Sequence, residues 1–152
     1  MPQFRDYLAY NTTPPEILST DVMLVDRLGV GTVGVSIFDV VIYDIAMWYP
    51  NQLPPSAYIT WFNAVRPFTL PVGLTGSLFT LGTAPASPLT LNILKNGSTI
   101  GTLFFAAGNT TPTVTFTTLT SFAVGDQLRI QTPAATYSAA NLAATFLAGR
   151  IS

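Results

Sequence analysis

An Asn-Gly dipeptide at positions 96–97, placed between two apolar segments, constrains the fold of this 152-residue chain most strongly. Residues 89–95 alternate apolar and polar side chains before the dipeptide, and residues 98–105 follow it. Asn-Gly favours a type I′ turn, which needs positive φ at both central residues and joins antiparallel strands. The pattern predicts a hairpin whose paired residues are Ile93 with Ile100 and Leu89 with Phe104.

Other short segments of the chain show strand-like patterns between Gly, Pro and Asn residues. Strands spaced by about 8–12 residues with such turns are typical of antiparallel sandwiches. Residues 29–34 predict a turn-rich connector, and the prolines in residues 50–55 predict a break. Further strands are predicted at residues 22–28, 57–62, 68–70, 113–117 and 127–131, and residues 36–49 predict one or two more. Residues 142–147 predict a last strand, with a short helix as the alternative because of their alanines, and a helical turn is predicted at Pro14-Pro15.

We therefore predict an all-β fold: an antiparallel β-sandwich, of jelly-roll or immunoglobulin-like type, with an extended N-terminal arm. The arm comprises residues 1–35 and the sandwich comprises residues 36–152. Composition changes along the chain, since nine of the thirteen charged residues lie in residues 1–66 and 17 of the 22 threonines lie at or beyond Thr69. Threonine suits a pleated, half-buried surface. The second half is thus a β region in which threonine replaces charge.

Composition also excludes several kinds of chemistry. The chain has no Cys and no His, which rules out disulfides, thiolate nucleophiles, zinc sites with Cys or His ligands, and Ser-His-Asp triads. Its six basic residues are scattered singly and make no patch for phosphates. The most apolar stretch, residues 35–49, contains two aspartates and is too short to span a bilayer, which needs about 20 apolar residues. We expect no cofactor and no metal, and neither nucleic acid nor membrane as a partner.

Two patterns raise the question of catalysis or nucleotide binding. Residues 29–34 match the dinucleotide fingerprint G-x-G-x-x-G, but that motif needs a helix after it, and the residues that follow are strand-like. A turn between strands is the interpretation we favour.

Isolated carboxylates usually serve as turn caps or ion-pair partners, although a glycosidase could use two of them about 5–9.5 Å apart. The aspartates in question are Asp21, Asp26, Asp39 and Asp44, whereas Asp126, after Gly125, is interpreted as a turn cap.

Aromatic residues cluster around the proline-rich segment 50–55. With Asn51, Gln52 and Tyr137 they could stack on sugar rings and bind their hydroxyls, or they could anchor a protein partner. Core filling is the commoner use of Trp and Tyr, and we favour it. The cluster comprises Trp48, Tyr49, Tyr58, Trp61 and Phe62.

Three segments of the second half share a recognisable pattern. Residues 91–108 read LNILKNGSTIGTLFFAAG, residues 122–134 read FAVGDQLRIQTPA, and residues 142–149 read LAATFLAG. They resemble a β module of tailed-bacteriophage virion proteins, whose recurring form is I-x-K-N-G-x-x-I-G-T-x-x-F-A-A-G, then F-x-x-G-D-x-L-x-I-x-x-P, then L-A-x-x-x-L-x-G. Upstream, YDIAMW at 43–48 and RPFTLP at 66–71 resemble the lead-in strands of such proteins, so the resemblance spans residues 38–149.

The resemblance implies a non-enzymatic structural protein of a tailed-phage virion, made in the host bacterial cytoplasm. We expect a homotrimer that decorates and cements the capsid through contacts with the major capsid protein, or with tail proteins. The alternatives are a tail-fibre or tail-adaptor component and a glycan-binding module for host recognition. Residues 1–35 are expected to be the arm that attaches the protein to the particle. The residues expected to contact partners are Phe4, Arg5, Tyr7, Pro14, Pro15, Ile17, Trp48, Tyr49 and Trp61.

Overall fold

The computed structural model describes the backbone of residues 22–27, 31–36 and 42–150 and the side chains of residues 44–149. The chain forms two compact units, Met1–Val40 and Val41–Ser152. In the first unit the structure describes one antiparallel hairpin, β1 (Val22–Arg27) paired with β2 (Gly31–Ser36). The helical turn predicted at Pro14-Pro15 lies outside the described residues, and the division into an arm and a sandwich stays a prediction.

The second unit consists of two five-stranded antiparallel sheets, which confirms the predicted all-β sandwich. The first sheet contains β3 (Ile42–Gln52), β5 (Phe68–Leu70), β6 (Leu78–Thr83), β10 (Thr120–Phe122) and β12 (Ala140–Arg150). The second sheet has the order β4 (Tyr58–Asn63), β11 (Gln127–Gln131), β7 (Leu89–Lys95), β8 (Ser98–Phe105) and β9 (Thr113–Thr115). A short 3-10 segment, Val72–Leu74, connects β5 to β6.

The core lies between the inner faces of the two sheets. Phe68 stacks on Phe122 with ring centroids 4.5 Å apart, and Phe79 meets Phe146 edge-on at 5.0 Å. Each fully buried Leu, Ile or Phe contributes about 1.5–3 kcal/mol relative to an exposed one. The side chains of the second sheet that are fully buried in the core are Leu89, Leu91, Ile93, Leu103, Phe105, Leu128 and Ile130.

The predicted type I′ turn between β7 and β8 is confirmed, because φ is +50° at Asn96 and +88° at Gly97. Beyond the turn, the ladder contains a bulge at Ile100. A bulge places one extra residue in one strand and shifts every later pair. The observed pairs on its two sides are Leu94 with Thr99 and Ile93 with Gly101.

The bulge makes the predicted register of β8 wrong by one residue. Leu89 pairs with Phe105 rather than with Phe104. Phe105 is therefore the buried ring, whereas Phe104 is 41% exposed. The residue after the bulge must be small, since a Cβ on Gly101 would lie 2.8 Å from the carbonyl oxygen of Thr115.

Two other sequence-based expectations are corrected. Residues 31–36 are not part of a connector but form β2, so Gly31 and Gly34 lie in a strand of an antiparallel hairpin, which is not the setting of a dinucleotide loop. Pro50 does not end β3, which continues to Gln52. Proline is tolerated there because β3 is the terminal strand of its sheet and carries a bulge at this point. The short strands β6 and β10 were not predicted.

The register of β8 can be tested with two adjacent phenylalanines. We expect Phe105→Ala to lower the free energy of unfolding by about 3–5 kcal/mol, because it leaves a cavity in the core. Phe104→Ala is the matched control and should cost less than about 1 kcal/mol, because its ring is partly in solvent. Urea unfolding of both variants measures the difference, and the reverse ranking would indicate the register without the bulge.

Candidate functional site

The aromatic cluster is divided between two strands and two environments. Trp48 lies on β3 and is 67% exposed, and Trp61 lies on β4 and is 63% exposed. Tyr49 and Phe62, the neighbours that point inward, pack against the core. Core filling is therefore confirmed for Tyr49 and Phe62 and wrong for both tryptophans and for Tyr58, which is 44% exposed.

The outer side of the first sheet is a nearly uncharged surface, which we call the first-sheet face. Trp48 aligns with Ala143 and Thr80 in one row across β3, β12 and β6, and the next row is formed by Ala46, Thr145 and Leu78. Leu78 is 74% exposed. The carboxylate of Asp44 is the one charge that β3 adds to this side among its described side chains. Towards the Gly149 end lies an open hollow of about 330 Å³, lined by Thr69, Pro71, Thr75, Leu147, Ala148 and Gly149.

The outer side of the second sheet carries a different chemistry. Gln131 pairs with Tyr58 and Ile130 with Thr60, so Ile59 is an extra residue in β4. This bulge turns Tyr58 and Trp61 to the same side of the sheet, although residues three apart in a regular strand face opposite sides.

Arg129 lies between these two aromatic residues. It pairs directly with Trp61 in the ladder, and its guanidinium lies over the ring of Tyr58, with 4.8 Å from Cζ to the ring centroid. Such cation–π contacts hold a guanidinium without neutralising its charge. We call this group the Tyr58–Trp61–Arg129 surface.

The hydrogen bonds of Arg129 leave much of the guanidinium unused. One terminal nitrogen, Nη2, donates to Oε1 of Gln127. The Nε atom is buried and has no hydrogen-bond partner among the described residues. On the other side of the strand pair, Leu94 is directly opposite Arg129 and is only 3% exposed, so the guanidinium lies beside a well-packed part of the sheet. Within residues 44–149 the guanidinium is thus positioned by packing, stacking and the bond to Gln127, and no carboxylate contributes.

Of the two amide residues considered as sugar ligands, Gln52 uses its side chain in a structural hydrogen bond and Asn51 uses its backbone. The side-chain amide of Gln52 donates to the carbonyl oxygen of Tyr137 at 2.7 Å, and the backbone N–H of Asn51 donates to Oδ1 of Asn141 at 2.9 Å. These bonds join β3 to the segment before β12 and to β12 itself. The set of Trp48, Trp61 and these amides does not converge on one site.

Asp126 is a turn cap, as predicted. Its Oδ2 accepts the backbone N–H of Ala123 at 2.9 Å and lies 3.0 Å from Nζ of Lys95, while its Oδ1 accepts from the side-chain amide of Asn96 at 2.7 Å. These contacts lower the pKa of Asp126 from 3.8 to about 2, with the Asn96 hydrogen bond as the largest cause, followed by that of Ala123. The network ties the turn of the β7–β8 hairpin to the turn before β11.

Of the four aspartates considered as a carboxylate pair, the structure describes the side chain of Asp44 alone. Asp44 is exposed on β3, the side chain of Asp26 is not described, and Asp21 and Asp39 lie outside the described residues. Within residues 44–149 no group of three or more metal-binding side chains occurs. In the part of the chain that the structure covers, no helix is long and apolar enough to cross a membrane.

Of the nine residues expected to contact partners, the structure places three. Trp48 and Trp61 are exposed on different sheets, and Tyr49 is partly buried against the core. Sequence reasoning missed Arg129, whose position opposite Trp61 depends on the pairing of β11 with β4. The other expected contacts lie outside the described residues: Phe4, Arg5, Tyr7, Pro14, Pro15 and Ile17.

No protein-family model matches the chain, and no curated protein sequence matches it.

The Asp126 network predicts a pH dependence of stability. The pKa of Asp126 is lower in the folded protein than its ordinary value of 3.8. The ionised carboxylate therefore contributes fully to the free energy of unfolding above pH 3.8, and this contribution is lost as the pH falls through about 2. Between pH 3.8 and about 2, we expect the free energy of unfolding, measured with urea, to fall more steeply with decreasing pH in the wild type than in Asp126→Asn. Asp44→Asn removes an exposed carboxylate and should behave like the wild type. Identical pH profiles for wild type and Asp126→Asn would contradict the assignment.

Proposed function

We propose that this protein is a non-enzymatic structural component of a tailed-phage virion, a homotrimer that decorates and cements the capsid. The observation that carries the proposal is the first-sheet face, where Trp48 and Leu78 are exposed among alanines and threonines. The virion assignment is supported by the resemblance of residues 91–108 and 122–134 to phage β modules.

The first-sheet face has the properties of a contact between identical copies. Exposed Trp and Leu side chains on a surface otherwise made of small residues favour burial against a complementary partner. The surface carries few charges, so a second copy of the same face meets little like-charge repulsion. Closed symmetric assemblies use one such surface on every subunit.

Contact through the face is favoured over contact through the edge of the sheet. β3 is the terminal strand of the first sheet, and an open edge of eleven residues is a template for strand pairing. Pro50 supplies no N–H to such a pairing, and the bulge beside it bends the strand. A contact made by side chains that project from the sheet, such as Trp48, does not need backbone pairing and is not hindered by Pro50 or the bulge.

Self-association is tested by sedimentation velocity at micromolar concentrations. We expect a stable oligomer for the wild type, and dissociation to monomer for Trp48→Glu and Leu78→Glu, since a buried carboxylate without a partner is costly. For a tryptophan at the centre of the interface, each substituted contact should lower the free energy of association by at least about 2 kcal/mol.

Val124→Glu is the matched control for self-association. Val124 is also exposed and apolar, but it lies in the turn before β11 rather than on the first-sheet face. The variant should remain oligomeric. A wild-type protein that is monomeric at these concentrations would contradict the proposal.

The location on the particle is tested separately by image reconstruction of whole virions. We expect the sandwich as density on the outer capsid surface, repeated with the symmetry of the lattice. Density confined to the tail would overturn the decorating role and favour the tail-fibre or adaptor alternative. Absence of this chain from purified virions would overturn the whole proposal.

A further inference from the structure

We infer that the Tyr58–Trp61–Arg129 surface binds an acidic saccharide, a sugar ring that carries a carboxylate. This inference goes beyond the proposed structural role and concerns the opposite sheet. It needs neither self-association nor a place on the capsid, so the two proposals can fail independently.

The charge of Arg129 indicates an anionic ligand. The ion pair found within residues 44–149 joins Lys95 to Asp126, which neutralises that lysine. Arg129 has no carboxylate partner among the described residues; its contacts there are the ring of Tyr58 and the side chain of Gln127. Of the five N–H donors of a guanidinium, the one on Nε is buried here and one on Nη2 donates to Gln127. The edge formed by Nη1 and Nη2 is therefore the one that could bind a carboxylate with two parallel hydrogen bonds. Residues 44–149 therefore position this cation and supply no counter-charge to it.

Trp61 indicates that the anion belongs to a sugar. Its indole is 63% exposed and lies directly across the ladder from Arg129. A flat aromatic ring beside hydrogen-bonding groups offers one apolar surface and one polar rim, as the two sides of a pyranose require. The next row of the sheet supplies two side-chain amides. Gln131 of β11 lies between Tyr58 of β4 and Asn92 of β7 in this row. Amides can both donate to and accept from hydroxyl groups.

An acidic peptide fits this surface less well. Peptides with several carboxylates are recognised by clusters of cations, whereas the described side chains of β4, β11 and β7 place one cation, Arg129, on this face. Its neighbours there are aromatic, amide and apolar side chains. One guanidinium matches one carboxylate per ligand unit, and the exposed indole matches the apolar side of the adjoining ring.

The two tryptophans of the chain allow a direct test by fluorescence. Trp48→Phe leaves Trp61 as the single indole, and Trp61→Phe leaves Trp48 on the first-sheet face. We expect trigalacturonic acid to change the emission of Trp48→Phe in a saturable way at millimolar concentration or below, and to leave Trp61→Phe unchanged. A saturable change in Trp61→Phe, or none in Trp48→Phe, would overturn the inference.

The ligand class is tested by calorimetry on the wild-type protein. Trigalacturonic acid should bind at least about tenfold more tightly than maltotriose, a neutral trisaccharide, because a charge-assisted bidentate pair is lost with the neutral sugar. Triglutamate is the peptide control and should bind more weakly than the acidic sugar. Equal binding of maltotriose would remove the role of Arg129, and equal or tighter binding of triglutamate would favour an acidic peptide.

Substitution of the cation completes the test. Arg129→Lys keeps the charge but removes the edge formed by Nη1 and Nη2, so we expect a loss of roughly tenfold in affinity for trigalacturonic acid. Arg129→Gln should bind the acidic and the neutral trisaccharide equally. Arg66→Gln removes the same charge from an exposed loop residue and should bind like the wild type. Unfolding curves show whether each variant is folded, and full binding by a folded Arg129→Gln would overturn the inference.

Discussion

The pairing of β12 is the interaction on which the sandwich depends. From Ala140 to Gly149 this strand pairs with β3 on one side, and on its other side it pairs with β6 and with β5. Within the described residues, β3 and β6 have no other strand partner. The strand alternates large and small side chains towards the core, in the order Leu142, Ala144, Phe146 and Ala148. The first sheet is therefore complete only when the last segment of the sandwich has joined it, which makes its contacts long-range and its assembly slow.

Three bulges decide which side chains reach the outer surfaces. The bulge at Ile100 moves Phe105 into the core, and the bulge at Ile59 brings Tyr58 to the side of Trp61. The bulge of β3 beside Pro50 lets the strand continue to the end of the sheet. Each bulge reverses the side of the sheet on which the residues beyond it, in one direction along the strand, would otherwise lie. The surfaces thus follow from irregular positions in the ladders as much as from the alternation of the sequence.

The parts of the fold that could be predicted are those with local causes. The turn at Asn96-Gly97 depends on backbone angles that these two residues favour by themselves, and it was predicted correctly. The register beyond Ile100 depends on the close approach of Gly101 to the ring of Phe116, a contact that no local pattern reveals. The strands β6 and β10 were missed for the same reason, since their pairing with β12 and β5 is tertiary.

The candidate sites show the same limit. Trp61 was among the residues considered for binding, but its exposure could not be separated from core filling in a cluster of aromatic residues. Arg129 gave no signal, because a single arginine in an alternating strand is a common surface residue. Its significance comes from the bulge at Ile59, which places Tyr58 under the guanidinium while Trp61 stays uncovered. In a regular β4 the two aromatic residues would lie on opposite sides of the sheet. The guanidinium of Arg129 would then have only one of them beside it, either the ring of Tyr58 or the indole of Trp61.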